Sequence, residues 1–158
     1  MDHEHEIADI ARSIIDSILY MVLGTVDETG RPWVSPVYFS SEQYKEFYWM
    51  SSPDASHSRN IALRPQVSMV VFDSRIPVGT GQAVYMSAVA EELTGSALAR
   101  GVEIYNGRFE SPAEYGVRTI KLEDVRSPAP YRLYRATVIE HWILDPNTRP
   151  DHRICVKL

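Results

Sequence analysis

The chain of 158 residues is 44% hydrophobic and 23% charged, with a formal net charge of −5. That is the composition of one globular domain with its own core, expected over residues 1–158. Scattered Lys and Arg argue against nucleic acid as a partner, the absence of a long apolar run argues against the membrane, and the single Cys155 and an acidic N-terminus unlike a signal peptide point to the cytoplasm.

Glu4 to Ile18 is predicted as a helix, because Ile7, Ile10, Ala11, Ile14, Ile15 and Ile18 form one apolar stripe at helical spacing. Asp2, Glu4 and Glu6 suit the positive end of its dipole. His3 and His5 near the chain end are assigned no metal. Leu19 to Val26 is a β-branched strand, Asp27 to Arg31 a hairpin turn, and Pro32 to Ser40 the returning strand. Pro32 and Pro36 each lack a ladder donor, so that strand belongs at an edge or carries a bulge, where a planar ligand can approach the backbone. Gln43 to Ser51 is a third strand, and the short links predict a meander.

A short helix follows at Ser56 to Leu63, capped by Ser56 and stopped by Pro65. Gln66 to Asp73 is the fourth strand and Ser74 to Gly81 a loop. Gln82 to Leu93 is the fifth strand, whose small residues Ser87, Ala88 and Ala90 predict a tight bend. Thr94 to Asn106 reads as a helix ending at Gly107. Ser111 to Ile120 is ambiguous, and Glu123 to Pro130 is a turn-rich connector. Tyr131 to Leu144 and His152 to Leu158 are the last strands, joined by a turn at Asp145 to Asp151. The expected fold class is mainly β (α+β): a six- to seven-stranded antiparallel split β-barrel, Greek-key, with an N-terminal helix and short connecting helices.

The stretch from Phe47 to Ser74 concentrates the chemistry. Ser51, Ser52, Ser56, Ser58, His57 and Arg59 collect around the start of the short helix, whose free N–H groups and dipole favour an anion such as phosphate. The same residues also suit a plain capped turn, with Arg59 a solvated charge or paired with Asp54. Trp33, Trp49 and Trp142 serve equally as core or interface anchors. Tyr85 and Tyr105 line a substrate pocket or only pack. His141 and His152 read as surface or interface residues. No Ser-His-Asp, Cys-His or paired-carboxylate arrangement is evident, so the catalytic residues are unassigned.

Four segments carry a resemblance: GRPWVSPVYF (Gly30 to Phe39), SHSRNIALRPQVSMVVFD (Ser56 to Asp73), QAVYMSAVAEEL (Gln82 to Leu93) and LYRATVIEHWILD (Leu133 to Asp145). In this order they resemble the FMN-binding split-barrel family typified by pyridoxamine 5′-phosphate oxidase. The resemblance implies an FMN-dependent oxidoreductase acting on a small-molecule substrate. It also implies a homodimer with flavin sites at the subunit interface. By the same resemblance, Trp33, Val34, Ser35, Pro36 and Val37 flank the flavin ring. Ser51 and Ser52 lie near the ribityl phosphate, and Ser56 and Asn60 match the helix motif. His57 stands where the family has a phosphate-binding Lys, with Arg59 as a nearby fixed charge. Gln82 matches an amide that reaches the ring, and Trp142 and Arg153 match residues donated by the second subunit. Tyr38 occupies the place of a substrate-binding Lys, and Thr94 to Phe109 lacks the family's Tyr/Arg/Ser cluster, so rapid oxidation of pyridoxamine phosphate is not expected. Alternatives on the same frame are a non-catalytic flavin or haem module, with His57, His141 or His152 as axial ligand, and an F420-dependent reductase.

Overall fold

The structure is a computed structural model and describes residues 2–158; Met1 and the side chain of Asp2 lie outside the description. Helix α1 (Asp2–Ser17) buries Ile7, Ala11 and Ile15 of the stripe read from the sequence, together with Ala8, while Ile10, Ile14 and Ile18 are half-buried. Strands β1 (Tyr20–Val26) and β2 (Pro32–Tyr38) form a hairpin in which Val26 faces Pro32 and Tyr20 faces Tyr38. Its turn is built on Asp27, whose Oδ1 accepts bonds from the Thr29 and Arg31 N–H groups at 2.8 and 2.9 Å. The Thr29 hydroxyl, which donates to the same oxygen, and then those backbone bonds hold the Asp27 carboxyl below its ordinary pKa. Gly30 supplies the φ of +89° that closes the turn.

The backbone N–H of Phe39 donates to the Leu19 carbonyl, so odd-numbered residues of the returning chain bond to β1. The even-numbered ones, Pro32, Val34, Pro36 and Tyr38, turn their backbone groups to the open edge. Neither proline therefore costs a ladder bond, and β2 ends the sheet as the prolines predicted.

One difference follows at once. The strand expected from Gln43 begins later, because Ser40–Glu42 (β3) and Glu46–Ser51 (β4) form a second hairpin. Gln43 and Tyr44 take φ of 51° and 56°, the two left-handed central positions of a primed turn that the Lys45 N–H closes on the Glu42 carbonyl at 3.0 Å, with Lys45 left unpaired before Glu46. Neither residue type signals such a turn. Tyr44 is held from outside: its carbonyl accepts the His141 Nε2–H at 2.7 Å, and its hydroxyl donates to Asp16 at 2.9 Å. His141 is accordingly buried, 7% exposed, rather than at the surface.

Helix α2 (Ser56–Leu63) leads to β5 (Gln66–Phe72), then β6 (Ala83–Glu92), helix α3 (Gly95–Asn106), two short 3₁₀ turns, and strands β7 (Arg132–Leu144) and β8 (Arg153–Val156). The antiparallel sheet runs β2-β1-β5-β6-β7-β4-β3, with β8 paired to β7. Strand β4 pairs with the first half of β7 and β8 with the second half. The order is a meander only from β5 to β7: β1 takes β5 as its second neighbour and β4 takes β7, correcting the simple meander. The two end strands, β2 and β3, are consecutive in the chain and separated by Phe39 alone, so the sheet curls until its ends meet there. Phe39 is fully buried and packs on Phe47 at 5.4 Å. The result is a split half-barrel, mainly β, as expected. The predicted bend is present: the β6–β7 register shifts between Ser87 and Ala88, leaving Ile139 as the extra residue on β7.

The inner face packs Met21, Leu23, Trp49, Met69, Val71, Val84 and Ile143 with the α1 stripe. A second cluster lies under α3, around Tyr48, Leu98, Tyr105 and Leu133. There Gly101 lets the helix approach, since a Cβ would sit 2.7 Å from a Leu93 methyl. Among the described residues no helix is long and apolar enough to cross a membrane.

Candidate functional site

The site is assembled where α2 meets the β1–β2 hairpin. The turn Ser52–Ala55 delivers the helix: the Ala55 N–H donates to the Ser52 carbonyl at 3.2 Å, and the Asp54 N–H to the Ser52 hydroxyl at 3.1 Å. Ala55, not Ser56, therefore occupies the cap position, which corrects the expected Ser56 cap. No side chain caps the helix, and its first turn contains no acidic residue. Its leading N–H groups and the positive end of its dipole therefore have no side-chain partner from the cap or the first turn, with Asp54 one residue before the cap.

Ser51, at the end of β4, places its hydroxyl 2.8 Å from His57 Nε2. Burial holds the His57 imidazole below its ordinary pKa, so it is neutral at pH 7. Arg59 is exposed. Its Nε donates to the Asp54 carbonyl at 2.9 Å, which aims the guanidinium without spending it on the Asp54 carboxylate.

Across a cleft of about 610 Å³ stands Trp33, 52% exposed; Ser56, Arg59 and Asn60 line the same cleft. The Trp33 indole N–H donates to the Ser35 hydroxyl at 3.0 Å, fixing the ring. Val34 and Pro36 are exposed on the open edge of β2, while Val37 is buried. Asn60 does not reach the cleft with its amide. It is buried and its Nδ2 donates to the Thr25 hydroxyl at 3.0 Å, which lies 3.5 Å from the Trp33 carbonyl. Arg64 adds a second tie, donating to the Asp27 and Glu28 carbonyls at 3.1 and 3.3 Å. Helix and hairpin are thus locked to each other by buried and rim hydrogen bonds.

The other expected site residues lie elsewhere in the chain. Gln66 of β5 faces Val89 and Phe72 faces Ala83, so Gln82 sits at the end of β6 remote from α2. Its amide is spent on the barrel: Nε2 donates to the Leu144 carbonyl at 2.7 Å and Oε1 accepts the Leu144 N–H at 2.9 Å. Trp142 faces Tyr85, and the Arg153 guanidinium lies 4.5 Å from the Tyr85 ring, all on the outer sheet face. Trp49 is a core residue, stacked on Tyr134 at 5.8 Å. Tyr105 is buried, edge-on to Tyr38, and burial pushes its hydroxyl up to about 12. Thr25, Arg64 and Arg108, whose guanidinium donates to the Ile15, Ile18, Leu19 and Phe39 carbonyls, were not anticipated; a Thr inside an apolar strand and two arginines beside turns gave no local signal.

The pyridoxamine 5′-phosphate oxidase family model matches residues 7–142. The chain belongs to the pyridoxamine 5′-phosphate oxidase family. A search of curated proteins returns no significant match. Solved structures of low identity share the fold. A heme binding protein from Mycobacterium smegmatis is 20% identical with a TM-score of 0.69, over 94% of this chain and 57% of that one. A Clostridium acetobutylicum protein related to a general stress protein of the pyridoxinephosphate oxidase family is 12% identical with a TM-score of 0.66, over 98% and 96%. An F420 reductase is 18% identical with a TM-score of 0.58, over 83% and 94%. Within the pyridoxamine 5′-phosphate oxidase family, this member combines a proline-bearing edge strand with an uncapped α2 and a neutral His57.

Proposed function

We propose that this chain binds FMN and works as a flavin-dependent oxidoreductase on a small molecule, as a cytoplasmic homodimer with its flavin sites between subunits. The observation that carries the reading is the start of α2, uncapped by any side chain and without an acidic residue in its first turn: the Ser51–His57 pair lies there, and Ser56 and Arg59 line one cleft with the exposed Trp33 and with Asp27, Glu28 and Arg31 of the hairpin turn. A phosphate suits that helix start, with the Arg59 guanidinium as the fixed positive charge. A flat heterocycle suits β2, whose even-numbered residues leave backbone groups unpaired at the edge. Bound FMN supplies the redox chemistry; the protein orients it and excludes water.

Trp142 and Arg153 support the two-subunit site. They share the outer face at the end of β6 and β7 far from α2, so within one chain they stand apart from the cradle. The same face exposes Tyr20 and Phe72, an apolar surface suited to a second copy. Tyr38, standing where the resemblance expects a substrate-binding Lys, argues against pyridoxamine phosphate as the favoured substrate.

One observation favours a second reading. Burial keeps His57 neutral, the form that ligates haem iron, and one fold neighbour is a heme binding protein. His141 is the weaker candidate because the Tyr44 carbonyl holds its Nε2. F420 is the third, with Arg31 and Arg59 on the cleft and Arg64 beside it for an acidic tail. Titrating the purified protein separately with FMN, haem and F420 separates the three: FMN is expected to bind tightest, and preference for haem or F420 replaces the first reading.

A further inference from the structure

Helix α2 separates two clefts. Ser56, Asn60 and Leu63 line the one that holds Trp33; Ser58, Ile61 and Ala62 line another, of about 450 Å³, between the helix and the end of β6. Arg59 stands on the rim of both. The chain leaves the helix at Pro65, whose carbonyl accepts the Ala90 N–H at 2.8 Å and so ties the helix end to β6.

The wall of this second cleft carries oxygen groups that do not satisfy one another. Ser58 is 3% exposed, and its hydroxyl has no partner at hydrogen-bond distance. Tyr134 is also 3% exposed; its ring stacks on Trp49, and its hydroxyl lies 3.5 Å from a Glu92 carboxylate oxygen, long for an O–H···O bond. Burial, opposed by the Ser58 hydroxyl and aided by the Glu92 carboxylate, raises the Tyr134 pKa above its ordinary value, so the phenol is protonated at pH 7. The two hydroxyls and the carboxylate share one corner, where the β6–β7 pairing sets Glu92 opposite Tyr134. Buried hydroxyls are normally bonded, so an incomplete set in the wall of a cleft marks a place where a donor from outside fits.

The charges set the sign of that donor. Arg135 meets Glu91 at 2.6 Å and Glu46 at 3.7 Å, one cation shared between two carboxylates. Among the described residues Glu92 pairs with no cation, and Arg59 is held by the Asp54 carbonyl at 2.9 Å. The cleft thus offers oxygen acceptors and a carboxylate without a counter-ion, beside the apolar surfaces of Pro53, Ile61 and Pro65.

We propose that this cleft binds a primary ammonium group carried on a small apolar or aromatic frame. The ammonium has three N–H donors and no acceptor, which matches the Glu92 carboxylate, the Tyr134 hydroxyl and the Ser58 hydroxyl. The frame lies along Ile61 and the two prolines. The assignment is independent of the FMN reading, which concerns the other face of α2.

Benzylamine, benzyl alcohol and phenylacetate test this, because they share a phenyl group on a short chain and are a cation, a neutral molecule and an anion at pH 7. Calorimetric titration of the full-length protein is expected to show benzylamine binding, with the alcohol at least about tenfold weaker and the carboxylate weaker still. Glu92 is exposed, so Glu92→Gln keeps the fold, and it is expected to weaken benzylamine about tenfold. Ser58→Ala and Tyr134→Phe each remove one acceptor and are expected to weaken it severalfold. The indole N–H resonances locate the ligand: that of Trp49, stacked on Tyr134, is expected to shift during the titration, while that of Trp33, in the other cleft, stays in place. Equal affinity for alcohol and amine, unchanged binding in Glu92→Gln, a shift at Trp33 alone, or no benzylamine binding up to about 10 mM each overturns the proposal.

Discussion

Thr25→Val probes the lock between α2 and the hairpin. The substitution nearly conserves volume but removes the hydroxyl that accepts the Asn60 amide and faces the Trp33 carbonyl. Thr25 is 2% and Asn60 7% exposed, so the stranded Nδ2 has no water to turn to. Leaving a buried donor unsatisfied costs about 1–3 kcal/mol. Taking about 2 kcal/mol, and roughly 2–4 °C per kcal/mol for a chain of this size, the melting temperature should fall by about 4–8 °C. Asn60→Leu alone should also destabilise. The double variant, with both partners apolar, should recover part of the loss, giving a coupling of about 1 kcal/mol in a urea-denaturation cycle. Strict additivity, or an unchanged melting temperature in Thr25→Val, would show that the pair does not join helix and hairpin.

Three further outcomes are expected. Arg59→Ala should weaken FMN binding by about 1–3 kcal/mol, the range for charge-assisted hydrogen bonds, and an unchanged dissociation constant in a fluorescence titration would remove Arg59 from the site. His57 and His141 both have pKa values lowered by burial, so below about pH 6.5 the unfolded chain binds protons that the folded chain does not. Stability should therefore be full above that pH and fall as pH drops through it, with a shallower fall in His57→Gln; a flat urea-denaturation profile between pH 7 and about 5 contradicts the burial argument. Light scattering at micromolar concentration should give the mass of a dimer, and a monomer counts against the shared flavin site.

Much of the architecture was legible because its determinants are local. The isoleucine stripe of α1, the Asp27–Gly30 turn, the two prolines of β2 and the small residues opposite Ile139 each carry their own physical signature. The β3–β4 hairpin was not legible, because Gln43 and Tyr44 adopt left-handed conformations through contacts with His141 and Asp16, far along the chain. The strand order was obscured for the same reason: β1 meets β5 and β4 meets β7 across long separations.

At the site, residue types were informative and their duties less so. Trp33, Ser56 and Arg59 line one cleft, and Ser51 meets His57 at the start of α2. Asn60 turned out to be an internal strut, and Gln82 ties β6 to β7 through Leu144. An amide reads identically in sequence whether it faces a ligand or a backbone; only the fold decides its partner. Arg108 shows the converse, since an unremarkable position after α3 becomes the anchor of four carbonyls once α1, β1 and Phe39 converge on it.

The most direct test of the cofactor assignment is the visible spectrum of the purified protein during titration with FMN. The account predicts flavin bands that shift and saturate as the α2 cradle fills, with the end point moved to higher FMN concentration in Arg59→Ala. A colourless protein whose added FMN keeps the spectrum of the free cofactor, or a Soret band in the protein as purified, contradicts it.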